Sequence, residues 1–93
     1  MNDPQAELRV ECEAREGGWH CSVTIGDNGH SVQVDRAILD DLAPGRTPDE
    51  LVRASFVFLL EREPPGSIMR SFELPIIARF FSDYADEMRR RLA

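Results

Sequence analysis

Lysine is absent: the eleven basic residues of this 93-residue chain are all arginine. That excludes a Schiff-base lysine, a Walker lysine and a lysine general base. The arginine bias itself reads as an Arg-favouring genome, since scattered surface charge is ordinary. Cysteine and histidine number two each, and a zinc site needs three or four ligands that converge. Long apolar runs are missing too. The longest, Phe56 to Leu60, has five residues, far below the ~20 needed to span a bilayer. The opening Met1-Asn2-Asp3-Pro4-Gln5 has neither the basic nor the apolar part of a secretory signal. There is no basic surplus: 17 acids face 11 bases, for a net charge of -6. That balance argues against nucleic acid and against an anionic membrane surface. A cytoplasmic protein is expected, with Cys12 and Cys21 as thiols.

What is present suits one small α+β domain over 1–93. The hydrophobic fraction is 42% and the charged fraction 30%, a globular balance. From Ala6 to Arg15 the chain alternates apolar and polar, the period of a half-buried strand. Gly17-Gly18 then reads as a turn, and Trp19, Cys21, Val23 and Ile25 share one face of a second strand. Asn28-Gly29 reads as a type I′ turn into a third strand carrying Val32 and Val34. These turns place Cys12 opposite Val23 and Ile25 opposite Val32. Both registers put the apolar residues on one face, so 6–35 is read as a three-stranded antiparallel meander.

The remainder, 36–93, reads as three or four helices packed on one face of that sheet. Asp35 can cap a short helix to Leu42, stopped by Pro44-Gly45. Thr47-Pro48-Asp49-Glu50 opens a second helix with an N-cap, a proline at N1 and a capping-box glutamate. It is expected to run to Arg62 or Glu63, before Pro64-Pro65-Gly66. Its apolar arc is too broad for one buried stripe. Leu51, Val52, Phe56, Leu59 and Leu60 cover that arc, and Ala54 and Val57 fall on the remaining side; Ala54, Val57 and Leu60 are the candidate interface residues, with burial beneath the last helix as the alternative. Ile77, Phe80, Phe81, Tyr84, Met88 and Leu92 form a final amphipathic stripe. Ser82-Asp83 leaves open whether that stripe is one helix or two.

No catalytic, cofactor or metal residues emerge. Cys12 and Cys21 sit diagonally, ~7–8 Å apart, beyond comfortable disulfide reach. In the expected register Cys21 faces Arg36, ~20 Å along the strand from His30, so Cys and His cannot converge on a metal. No nucleophile elbow occurs. Glu7, Glu11 and Glu13 are interleaved with Arg9 and Arg15, as on a solvated strand face. Arg89-Arg90-Arg91 suits the C-terminal end of a helix dipole.

The stretch Thr47 to Phe56, with Phe58 to Pro64, Ser67-Ile68, Phe72 and Ile77 to Phe81, resembles a group of small uncharacterised bacterial proteins. That likeness covers about half the chain and implies a bacterial origin without naming an activity. A fainter resemblance is to HicB-type antitoxins, through the meander and Thr47-Pro48-Asp49-Glu50. Their Pro-Asp-Leu-Pro-Gly segment is missing here, where Asp41-Leu42-Ala43-Pro44-Gly45 stands. Ser31 to Asp35 followed by two helices is similar to ribbon-helix-helix repressors. The ribbon here offers Ser31, Gln33 and Asp35 in place of a basic DNA-reading set. The expected function is a non-enzymatic protein-interaction module, a homodimer being one form. The alternative is an antitoxin-like regulator that binds a basic toxin. The charge divides unevenly: 1–46 carries nine acids and four arginines, and 47–93 carries eight and seven. The near-neutral helical half is therefore the expected contact surface.

Overall fold

The structure is a computed structural model that describes residues 8–93. The expected start of the first strand at Ala6 and Glu7 lies outside the described residues. The alternating segments form β1 (Leu8–Arg15), β2 (Gly18–Ile25) and β3 (Asn28–Asp35), an antiparallel meander.

Both turns lie earlier than expected. The first is Glu16-Gly17, with Gly17 at φ 78°, and Arg15 pairs with Gly18. A side chain on Gly18 would collide with the Val34 carbonyl, so that glycine is needed inside the strand. The second turn is Gly26-Asp27, and Asn28-Gly29 belongs to β3, with Ile25 opposite Asn28. Gly26 takes φ 57° and, among the described residues, no non-glycine residue has a positive φ. A turn with positive φ only at its first central residue needs glycine there, which Gly26-Asp27 supplies. The register therefore slides by two residues in one hairpin and four in the other. An even slide keeps every side chain on its face, so the buried set is unchanged while the partners differ.

The sheet is larger than a meander. A short β4 (Ser71–Glu73) adds parallel to β3, giving the order β1-β2-β3-β4. Phe72 is its one inward residue. The Ser31 N–H donates to the Arg70 carbonyl at the start of this pairing. Three residues are too few to show a period in the sequence.

The helices follow: α1 (Arg36–Leu42), α2 (Pro48–Leu60), α3 (Ile77–Phe80) and α4 (Tyr84–Arg91). Asp35 occupies the N-cap of α1, but its side chain makes no cap bond. Thr47 does cap α2: its Oγ1 accepts from the Glu50 N–H at 3.3 Å and donates to Glu50 Oε1 at 3.2 Å. α2 stops at Leu60, earlier than expected, because the Arg62 and Glu63 N–H groups both turn back to the Leu59 carbonyl. The last apolar stripe is broken. Phe81 is extended, at φ -133° and ψ 98°, and Ser82-Asp83 is a turn. Asp83 does not cap α4 with its side chain. It accepts from Arg62 at 2.9 Å instead, tying the end of α2 to the start of α4.

α2 lies between the sheet and α4. Phe56 meets His30 and Phe72 on the sheet side. Phe58 meets Phe81 and Tyr84 on the other. This placement accounts for most of the breadth of its apolar arc. At the α4 contact the Ser55 hydroxyl, fully buried, donates to the Leu51 carbonyl at 2.8 Å and lies 2.6 Å from the Tyr84 hydroxyl. Burial pushes the Tyr84 hydroxyl well above its ordinary titration near 10, and the Ser55 hydrogen bond offsets a part of that.

Candidate interaction surface

Ala54, Val57 and Leu60 are half-buried and rest against the core. Their positions on α2 differ from those of Phe56, which meets His30 and Phe72, and of Ser55 and Phe58, which meet Tyr84. Arg53 beside them donates to the Leu8 carbonyl at 3.0 Å, fastening this flank to β1.

The largest exposed apolar side chains lie elsewhere. Phe80 keeps 68% of its surface open and Met69 keeps 43%. Both border a cleft of about 420 Å³ whose walls include Leu59, Ile68, Phe72, Ile77 and Phe81. An adjoining recess of about 540 Å³ runs along β4, sharing Met69, Phe72 and Ile76 and adding Ser71, Glu73 and Arg79. The helix break creates this surface. In one continuous helix Phe80 would share the inward stripe with Tyr84. Because α3 ends after one turn, Phe80 points away from the core. Met69 is held out by its backbone: its carbonyl accepts from His30 Nδ1 at 2.8 Å, while the next carbonyl takes the Ser31 N–H. His30 itself is buried, and among the described residues its Nε2 has no partner. Its parity with Val32 and Val34 was the sequence signal that it faces inward.

Among the described residues, Arg70, Arg79, Glu63 and Glu73 make no ion pair. The arginines of the tail are all engaged. Arg89 reaches Asp41 on α1, Arg90 holds Glu87, and Arg91 bridges Glu61 and Glu87. The Arg90 hydrogen bond, joined by Arg91, holds the Glu87 carboxyl down at about 2 against a contrary push from burial. Arg62 lies 3.6 Å over the Phe58 ring and donates to the Phe58 carbonyl, closing the edge of the α2–α4 contact.

The cysteines need a correction. Cys12 pairs directly with Cys21, with Cα atoms 4.0 Å apart, and the two form a disulfide. The expectation of diagonal thiols fails because it rested on the turn at Gly17-Gly18. Moving that turn back one residue slides the register by two and sets the cysteines face to face. The four-residue slide of the second hairpin voids the distance reasoning for a metal, since Cys21 lies opposite Val32. Among the described residues no three His, Cys, Asp or Glu side chains gather as a metal set.

One polar pair went unseen in the sequence. His20 Nε2 lies 2.7 Å from Ser31 Oγ on the outer sheet face. Such contact suits a nucleophile and its base. Here the surrounding strand amides are committed to the ladder, and Ser31 N–H to Arg70, so no pair of free donors converges to hold an oxyanion. No helix among the described residues is long and apolar enough to cross a membrane. Comparison with protein-family profiles, with curated proteins and with solved structures gives no match.

Proposed function

We propose that this chain is a small non-enzymatic protein-interaction module of a bacterial cytoplasm, acting through the cleft beside α3 and β4. One observation carries the reading: Phe80, at 68% exposed, stands with Met69 on the rim of an apolar cleft large enough for a side chain. A bare phenylalanine at such a rim gives no return in folding and a large one in contact. The half-buried strip of Ala54, Val57 and Leu60 is a lesser apolar surface on α2. The bacterial setting rests on the resemblance of 47–81 to small bacterial proteins. In a cytoplasm the Cys12–Cys21 bridge would meet reducing thiols.

The test is a photoreactive side chain at position 80, expressed in cells. A discrete crosslinked species that Met69→Asp abolishes supports contact through the cleft. Absence of any discrete species, while the same probe reacts elsewhere on the chain, refutes it. The antitoxin-like reading, in which the chain covers a basic toxin, is favoured by the exposed Glu11, Glu13 and Glu16 at the β1 end of the sheet. It predicts crosslinks from position 11 instead of position 80.

A further inference from the structure

We infer that the occupant of this surface is a second copy of the chain, joined edge to edge through β4 about a two-fold axis; the inference rests on the interaction reading above. A two-fold interface requires one patch to hold both halves of every contact. This patch does. It offers a knob, Phe80, and a cleft of about 420 Å³ beside it. It offers both signs of charge that make no ion pair among the described residues: Glu63, Glu73 and Arg79 line the two recesses, and Arg70 directly precedes β4. A wholly basic or wholly acidic partner would satisfy two of these four and repel the others. A second copy supplies both signs. The neutral balance also lets two chains of net charge -6 meet without stacking their acidic sheet faces.

The backbone agrees in phase. Among the described residues β4 is the last strand of the sheet and pairs on one side only, with β3. The Arg70 carbonyl points to β3. Strand residues alternate, so Phe72 also faces β3, and the N–H groups of Ser71 and Glu73 face outward. An antiparallel pair centred on Phe72 sets Ser71 opposite Glu73 of the second copy. Both members of that pair then have outward groups, which is the hydrogen-bonded type of antiparallel pair. The flanking Met69 and Phe80 would cover the junction.

Sedimentation velocity on the purified full chain tests this. The chain should sediment at twice its 10.5 kDa mass within a range of about 1–100 μM. Phe80→Asp should weaken the dimer at least about tenfold while keeping the wild-type circular dichroism. Ser71→Pro, which removes an outward N–H and no bond to β3, should do the same. A monomer throughout the range overturns the second-copy inference, and so does a dimer that survives both substitutions. If Ser71→Pro fails to fold, Phe80→Asp alone decides. The interaction reading fails separately, on the cell crosslink from position 80. A purified monomer that still crosslinks to a different protein in cells overturns only the inference made here.

Discussion

Removing the Ser55 hydroxyl should destabilise the protein, and removing the Tyr84 hydroxyl as well should restore part of the loss. The reason is the direction of the hydrogen bonds. Ser55 has one proton, and the Leu51 carbonyl at 2.8 Å takes it. The Tyr84 hydroxyl, 2.6 Å away, must therefore donate to the Ser55 oxygen. Tyr84→Phe deletes that donor and leaves Ser55 bonded to Leu51, a loss of about 0.5–1.5 kcal/mol. Ser55→Ala strands the Tyr84 O–H in the core, where the Met88 sulfur is only a weak acceptor, at about 1–3 kcal/mol. In the double variant neither polar group remains buried, so it should be more stable than Ser55→Ala alone by about 1 kcal/mol. Urea unfolding followed by circular dichroism reads this directly. With a slope of about 1 kcal/mol per molar urea, the midpoint should rise by about 1 M between the single and the double. A double variant less stable than Ser55→Ala would refute the assigned bond directions.

Tyr84 also sets an alkaline limit. Its hydroxyl titrates above the unfolded value of 10.0, so above pH 10 the unfolded chain loses a proton that the folded chain keeps. Stability should then fall by up to about 1.4 kcal/mol per pH unit, and Tyr84→Phe should flatten that slope in alkaline melts. The chain has one tyrosine, so its absorbance titration should stay silent until unfolding. Breaking the Cys12–Cys21 bridge, which spans nine residues, should cost about 2–3 kcal/mol by loop entropy, read as a lower melting temperature in reductant. Cys12→Ser should melt at the same temperature with and without reductant. Phe80→Asp should move the melting temperature little, since exposed sites usually stay within about 0.5 kcal/mol; a large loss would mean Phe80 is packed in solution.

The sequence reading reached the inward and outward faces, because alternation along a strand fixes parity. It did not reach the partners across the strands. Parity is indifferent to slides of two or four residues, and the choice of turn rested on dipeptides. Asn28-Gly29 is the stronger hairpin dipeptide in isolation, yet Gly26-Asp27 lets all eight residues of β3 pair with β2. The disulfide was lost with the other hairpin, where Gly17-Gly18 was read as the turn and Cys12 was set opposite Val23 instead of Cys21. The capped start of α2 was legible because Thr47, Pro48 and Glu50 act within one turn. β4 was not, since its pairing joins residues forty apart in sequence. The candidate strip at Ala54, Val57 and Leu60 was read from an apolar excess that α4 largely explains. The more exposed surface came from a place the pattern assigned to the core. Phe80 fits the stripe through Tyr84 and Met88 only if the helix is unbroken.

Hydrogen exchange at Ser71 and Glu73 tests the central claim most directly, that the cleft and the free edge of β4 form one contact surface. Exchange at these two amides should slow as the chain is raised through its dimerisation range. In Phe80→Asp the slowing should move to concentrations at least about tenfold higher. Protection that is already complete at the lowest concentration, or rates that never change while dimer forms, would contradict the account.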